Sequence, residues 1–329
     1  MFRVAIIGCG GIAQVHASVL HQNPETELIA CADIRLERAQ AMAEKYGCHA
    51  YASLEELLAN ETPDAVHLCT PHVLHTPMAE VLAEKGIPVF TEKPPVIDRE
   101  QWAKLKEAAK KVPLGICFQN RYNPNVKEAE KIIASGELGE LLGARAFVTW
   151  HRTESYYLDS GWRGVWATEG GGALINQSVH TLDLLVRLMG KPELVEAYMA
   201  NHHLADKIEV EDTVEAYLKL GGKTALFYAT TGYVGNAPVL IELQFEKASV
   251  RLESDELEII TKEGKEKRTF DTNATLGKNY WGNGHMACIS DFYASLRENR
   301  PFQNDIASVE NTVEVMLQMY EQGKKYLKA

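Results

Sequence analysis

Two hydrophobic rhythms divide the chain. Over roughly its first 120 residues, short and nearly continuous apolar runs read as strands buried on both faces: "RVAIIG" (3–8), "ELIACAD" (27–33), "AVHLCT" (65–70), "PVFTE" (88–92) and "PLGICF" (113–118). Amphipathic stretches at 11–22, 35–46, 75–85 and 98–111 read as helices between them, and "SLEELLA" (53–59) as a short helix with a serine N-cap. Strands alternating with helices predict a parallel α/β sheet. After Phe118 the rhythm changes. A helix at 124–135 ends at Gly136, a long strand follows at 141–152, and the loop "EGGGALINQSVH" leads into a helix at 176–189. From 193 to 270, strands with period-2 alternation dominate ("DTVEAYLKL", "TALFYAT", "VLIELQFE"), and helices at 283–298 and 305–327 close the chain. The pattern predicts an α/β protein with a parallel-sheet domain over 1–120. A second α/β domain over 121–329 carries a mainly antiparallel sheet with helices on one face. The boundary near 120 is soft, because the last helix is free to pack back on the first domain.

Composition narrows the function classes. A length of 329 residues allows about two domains. Hydrophobic residues make up 46% and charged residues 24%, an ordinary globular mixture. No apolar run approaches the ~20 residues of a membrane helix. In "MFRVAIIGCGG" only "VAII" precedes the glycines, too short for a signal peptide. Six cysteines without a CxxC pair read as buried thiols of a reducing cytoplasm. The net charge of −11 opposes nucleic acid and anionic membranes as partners, though not an anionic cofactor held locally at a helix N-terminus.

"GCGGIA" (8–13) supplies such a terminus. It fits G-x-G-x-x-G/A with Ala13 in the third place, follows a strand and opens a helix. Gly8 permits the tight turn, Gly10 lets a pyrophosphate approach the backbone, and Ala13 keeps helix and strand close. Gly8, Cys9, Gly10, Gly11 and Ile12 are the expected cofactor contacts in this Rossmann turn. A second strand ends at Asp33 with Ile34 beside it, about twenty residues on, where a carboxylate takes the ribose hydroxyls of NAD and repels a 2′-phosphate. NADP stays possible, since Arg35 and Arg38 follow; their alternative is a solvated helix start.

In a doubly wound sheet ligands sit beyond the carboxyl ends of strands. Thr70-Pro71-His72 ends one strand and Glu92-Lys93-Pro94 the next. A lysine standing there, partly desolvated beside a nicotinamide, polarises a carbonyl or shares a proton with a hydroxyl. The alternative is a structural ion pair with Glu92, although neighbours in a strand point to opposite faces.

"GCGGIA", "CTPHVLH", "EKPP", "NRYNP", "GGGALINQSVHTLDLL" and "GHMACISDFYASL", in this order over the whole chain, resemble the successive motifs of the glucose–fructose oxidoreductase and inositol dehydrogenase family (Gfo/Idh/MocA). The resemblance implies a Rossmann domain followed by an α/β domain on a large open antiparallel sheet. It also implies NAD(P)-dependent transfer of a hydride to or from a hydroxyl or ketone of a sugar or cyclitol. Lys93 would be the catalytic lysine and Glu92 a cofactor-side residue. Thr70, Pro71, His72 and His75 would line the nicotinamide half of the site, with Asn120 near the nicotinamide end. Many members carry D-x-x-x-H in the helix after the glycines; here Asn176 replaces the aspartate and His180 keeps its place. At i and i+4 on a helix the two share a face. A histidine, with a pKa near ~6.5, suits the proton that an alcohol loses as its hydride leaves. Asn176 cannot take a proton but can hydrogen-bond a substrate hydroxyl. Asp183 has two open roles: orienting His180 or capping local backbone.

Substrate contacts are expected from Trp162 and Arg163 in "GWRGVW", for which a packing corner is the alternative, and from His285. His202, His203 and His285 stand at no metal spacing, so no metal is expected. Two other readings stay open: a glycosidase using NAD transiently to oxidise a ring hydroxyl, and a non-catalytic dinucleotide and sugar sensor. Alternation in "TALFYATTG" sets Leu226, Tyr228 and Thr230 opposite Ala225, Phe227 and Ala229. That leaves a second sheet face too apolar to stay bare and predicts a homodimer or homotetramer.

Overall fold

The computed structural model describes residues 1–270 and 284–327. The chain forms two compact units: one combines Met1–Gln119 with the stretch ending at Val309, the other runs on from Asn120 and resumes at Glu310.

The first unit is built on six strands: β1 (Phe2–Ile7), β2 (Thr26–Ala32), β3 (His49–Tyr51), β4 (Ala65–Leu68), β5 (Val89–Thr91) and β6 (Leu114–Ile116). Helices α1 (Gly11–Gln22), α2 (Leu36–Tyr46), α3 (Leu54–Asn60), α4 (His75–Glu84) and α5 (Arg99–Ala108) connect them. All pairings are parallel, in the order β3-β2-β1-β4-β5-β6. β4 is wholly buried and β1 buried over its last four residues, as parallel strands covered on both faces must be. Connections run outward in opposite directions from β1 and β4, so the crevice for a ligand opens beyond their carboxyl ends. The serine cap of α3 is present: Ser53 Oγ accepts the Glu56 N–H at 3.1 Å. The free edge of β6 is covered where Asn304 O accepts the Ile116 N–H at 2.9 Å. Strand β3 has no counterpart in the predicted elements, because three half-exposed edge residues carry no apolar run.

The second unit opens with α6 (Pro124–Ser135) and β7 (Leu141–Thr149). Two short helices, α7 (Glu154–Leu158) and α8 (Trp166–Glu169), precede the glycine loop. The predicted strand stops three residues early, at Thr149, and Thr153 caps α7. A π-helical turn, Ala173–Ser178, then runs into α9 (Val179–Met189). Strands β8 (Pro192–Ala200), β9 (Thr213–Leu220), β10 (Lys223–Thr230), β11 (Leu240–Phe245), β12 (Ser249–Glu253), β13 (Glu256–Ile260) and β14 (Lys265–Thr269) complete the sheet. Its order is β14-β13-β12-β11-β7-β10-β9-β8, antiparallel except for β7 against β10. Period-2 burial turns Val214, Ala216 and Leu218 of β9 inward, where α9 and α6 cover the sheet. The opposite face shows Tyr217, Leu226 and Tyr198 at 39%, 51% and 51% exposure. The last helices are α10 (His285–Glu298) and α11 (Ile306–Gly323); the predicted start of the former at 283 lies outside the described residues.

Candidate functional site

In the first unit the candidate site begins with a turn at the end of β1. Gly8 sits at φ +88°, where a Cβ would lie 2.6 Å from the Cys69 carbonyl oxygen, so only glycine fits. Around Gly10 and Gly11 a Cβ would meet nothing within 4 Å, and the N-terminus of α1 has no side-chain cap. Its first N–H groups therefore face open space with the helix dipole behind them. Asp33 is wired into this turn: its carboxylate accepts the Cys9 N–H and the Arg35 N–H, each at 2.8 Å. Ile34 beside it is 91% exposed. At the tip of β4, Thr70 Oγ1 is buried with no hydrogen-bond partner among the described residues. His72 and His75 are buried. His75 lies between two carbonyls, Pro94 O at 2.7 Å and Thr70 O at 2.9 Å. Burial lowers its pKa against the pull of both carbonyls; the ring donates to one of them when neutral and to both when protonated.

Glu92 and Lys93 follow β5, and the Lys93–Pro94 peptide is cis. The two side chains do not share a role. Glu92 is buried and accepts from His16 Nε2 at 3.0 Å; its other oxygen accepts the Lys93 backbone N–H at 3.2 Å. Behind it, His16 Nδ1 meets His67 Nδ1 at 2.8 Å, and His67 Nε2 meets the Tyr293 hydroxyl at 2.8 Å. A carboxylate only accepts, so His16 carries its proton on Nε2. Neutral rings then satisfy every link if Tyr293 donates to His67 and His67 to His16. Burial opposes the charge on Glu92, but the His16 hydrogen bond, the Lys93 charge and the nearby imidazoles of His16 and His285 outweigh it and hold the carboxyl far below its ordinary range. Burial keeps His67 well below its ordinary value and brings His285 down to about 4. His16, Glu92 and Cys117 bring potential metal-ligating atoms within 4.8 Å of one another, yet both nitrogens of His16 are taken up by hydrogen bonds.

In the second unit the glycines before the π turn are dictated by close packing: a Cβ on Gly171 would strike the Tyr320 hydroxyl, and one on Gly172 the Glu211 backbone. The buried Glu211 carboxylate accepts the Gly172 N–H at 3.0 Å, the Leu174 N–H at 2.9 Å and the Tyr320 hydroxyl at 2.8 Å. Ser178 Oγ donates back to Ala173 O at 2.7 Å. These bonds hold a widened turn where an α-helix was predicted, a deviation frequent at functional sites. The simple i, i+4 relation of Asn176 to His180 is corrected accordingly, since α-helical geometry begins only at Val179. Asn176 and His180 are each half-buried, and the Asn176 amide donates to Glu169 Oε1.

Asp183 takes neither of its expected roles. Arg121 donates to it twice, Nε at 2.7 Å and Nη2 at 2.5 Å, and Thr312 Oγ1 adds a third bond at 2.8 Å. Both carboxylate oxygens are thus engaged in a buried, bidentate ion pair. The Arg163 guanidinium lies over the rings of Tyr156 (4.4 Å) and Trp162 (4.8 Å), and its buried Nε has no acceptor among the described residues. Asn120 Oδ1 is likewise buried without a partner. His285 is 2% exposed and lies near His16 in the first unit, its ring facing the Glu92 cluster.

Residues 2–117 match the oxidoreductase family with an NAD-binding Rossmann fold, GFO_IDH_MocA, and residues 126–251 match the GFO/IDH/MocA C-terminal domain. The chain belongs to the GFO/IDH/MocA family. It is similar to D-glucoside 3-dehydrogenase of Escherichia coli (strain K12), at 34% identity over 213 residues, 63% of this chain and 58% of that protein's length. It is also similar to inositol 2-dehydrogenase of Rhizobium meliloti (strain 1021), at 27% identity over 80% of this chain and 79% of that one. Among solved structures, the WlbA dehydrogenase from Bordetella pertussis, in complex with NADH and UDP-GlcNAcA, matches with a TM-score of 0.86 and 27% identity over 98% of this chain and 96% of that one.

For this GFO/IDH/MocA member, the first unit fits the dinucleotide that the family's Rossmann fold binds. The uncapped α1 terminus suits a pyrophosphate, the Asp33 carboxylate suits ribose hydroxyls, and the partnerless Thr70 hydroxyl suits a ligand near the strand tips. Sequence reasoning missed His16, His67, Tyr293, Glu169 and Arg121. The one signal for them was a histidine inside the buried run "AVHLCT".

Proposed function

We propose that the chain is an NAD-dependent dehydrogenase acting on a secondary hydroxyl of a sugar, cyclitol or sugar derivative. The observation that carries this reading is the β1 turn: a glycine at φ +88° with no room for a Cβ, then Cys9 with its N–H bonded to Asp33, then an uncapped helix N-terminus. It is supported by the family and by relatives named as glucoside and inositol dehydrogenases. NAD supplies the hydride acceptor when bound. On the protein side, Lys93 holds the developing alkoxide by charge and His180 accepts its proton, while Asn176 hydrogen-bonds a substrate hydroxyl. Glu92 fixes the Lys93 backbone, and Asn120 lies at the nicotinamide end. Trp162 and Arg163 contact the substrate. NAD and NADP titrations, followed by a panel of sugars, cyclitols and sugar nucleotides read by absorbance of reduced nicotinamide, test the reading. Absence of dinucleotide binding defeats it.

We also propose a homodimer or homotetramer formed through the open sheet face, in the cytoplasm. On that face Tyr228 pairs with Phe147 and Phe147 with Leu240, beside Leu226 opposite Tyr217. Arg145 and Glu242 form an ion pair of 2.9 Å at the same level. An apolar centre with both charges around it suits a second copy of itself. The cytoplasmic reading rests on six cysteines that are all free thiols. Among the described residues, no helix is long and apolar enough to cross a membrane.

A further inference from the structure

Glu169 is fully buried at the end of α8 and has no part in the mechanism above. Its Oε2 accepts the Gly164 N–H at 2.6 Å, and its Oε1 accepts the Asn176 side-chain amide. We propose that Glu169 is the positioning carboxylate of Asn176, and that its ionisation sets which side of the amide is presented to the substrate. The proposal rests on the reading of Asn176 as a substrate contact.

A carboxylate offers acceptors only. Toward an ionised Glu169 the amide must turn its NH2, which points Oδ1 the other way. A protonated Glu169 reverses this. Gly164 N–H occupies Oε2, so the proton sits on Oε1 and needs an acceptor, and the amide turns over to bring Oδ1 inward and NH2 outward. A hydroxyl beside the reacting carbon donates its O–H to Oδ1, whereas an ether oxygen there only accepts, and does so from NH2. The ionised form therefore suits a substrate with a free hydroxyl at that place and the protonated form one whose oxygen there is masked. Burial pushes the Glu169 carboxyl up to about 7, against its hydrogen bonds from Asn176 and Gly164 and the nearby charge of Arg163. The Glu211 carboxyl raises it further, and Tyr156, Tyr157 and Tyr320 also face it. The turnover of the amide thus falls within the pH range in which a cytoplasmic enzyme works.

The test needs no substrate. In the full chain loaded with NAD and labelled with 15N-asparagine, the Asn176 side-chain NH2 signal is assigned by its loss in Asn176→Ser. It is expected to shift with a midpoint near pH 7 and to become pH-invariant in Glu169→Gln, whose carboxamide cannot ionise. A wild-type signal that does not move between about pH 5.5 and 8.5 overturns the proposal even if the variant fails to fold; so does a titration that persists in Glu169→Gln. Kinetics separate positioning from a merely structural role. With a substrate found in the sugar panel, Glu169→Gln should lose about tenfold or more in kcat/KM above pH 7 for the sugar with a free hydroxyl beside the reacting carbon and less than threefold for its O-methyl analogue. Equal losses with both substrates overturn it. Failure of every sugar with the wild-type enzyme counts against the dehydrogenase reading instead and leaves the amide titration as the test of this one.

Discussion

Replacing His16 by leucine removes the centre of the Glu92–His16–His67–Tyr293 chain while keeping a side chain of similar size. Two hydrogen bonds go: the 3.0 Å bond to Glu92 and the 2.8 Å bond to His67. Glu92 keeps the Lys93 backbone N–H at 3.2 Å, too little for a carboxylate 6% exposed. Leaving the buried Glu92 carboxylate short of its donor costs about 3 kcal/mol, and the unsatisfied His67 N–H adds about 1–3 kcal/mol. At neutral pH the loss should thus be roughly 4–6 kcal/mol, a large share of a typical domain's stability. The sign with pH is specific. In the wild type the Glu92 carboxyl is held below its ordinary value of 4.5, so its stabilisation is complete above that value and is lost as pH falls below it. In His16→Leu burial is left to dominate, the folded carboxyl titrates above 4.5, and the variant loses stability as pH rises. The difference between the two proteins should therefore widen between about pH 5 and 8. Urea denaturation at several pH values measures it, and adding Glu92→Leu to His16→Leu should recover part of the loss because the stranded charge is gone. A difference under about 1 kcal/mol that stays flat with pH would refute the assignment of His16 as the counter-group of Glu92.

Asp33→Ala should weaken NAD binding by on the order of 1.5–3 kcal/mol and narrow its preference over NADP, because the ribose partner and the ties to Cys9 and Arg35 vanish together. Calorimetric titration of both dinucleotides decides this, and a wild type that prefers NADP already contradicts it. Lys93→Met and His180→Ala should each lose at least about a hundredfold in kcat while still binding NAD. If single-turnover hydride transfer in His180→Ala runs at the wild-type rate across about pH 6 to 9, the histidine is structural. Leu226→Lys, at a sheet position 51% exposed, should shift the chain to monomer in light scattering at micromolar concentration without changing its circular dichroism. A wild type that is already monomeric removes the basis for it.

What the sequence disclosed and what it hid follow from the range of the interactions. The parallel sheet was legible because strands covered on both faces must be apolar throughout, and "GCGGIA" with Asp33 was legible because a turn, a helix start and a strand end form one local unit. Strand β3 was not, being three edge residues without a pattern of their own. The histidine chain joins positions 51 and 226 apart in sequence, and no periodicity relates His16 to His67 or His67 to Tyr293. The π turn is imposed from outside its own residues, by Glu211 and Tyr320 on the backbone of Gly172, Leu174 and Ile175, so local propensity could only suggest an α-helix. Asp183 misled for the same reason: three residues beyond His180 it looks like a helper of the imidazole, but its partner Arg121 lies 62 positions away.

The adjacent carboxylate and lysine at the end of β5 show why such a pair belongs at a site rather than in a salt bridge. If the Glu92 carboxylate turned to the Lys93 ammonium, each charge would neutralise the other and neither would act on a ligand. The Glu92 carboxylate turns into the protein, to His16 Nε2. Burial creates a difficulty of its own, since a buried carboxylate without a partner would take up a proton. The His16 bond resolves it from the protein's interior, and the second carboxylate oxygen accepts the Lys93 backbone N–H. Glu92 thereby acts on the Lys93 main chain: it fixes where the lysine starts, and it stays ionised with help from the nearby Lys93 charge. In the mechanism we propose, a lysine held this way serves the developing alkoxide as a cation and not as a base. The proton of the alcohol then goes to another group, and that requirement, more than the histidine's place in a motif, is what makes His180 the residue to test.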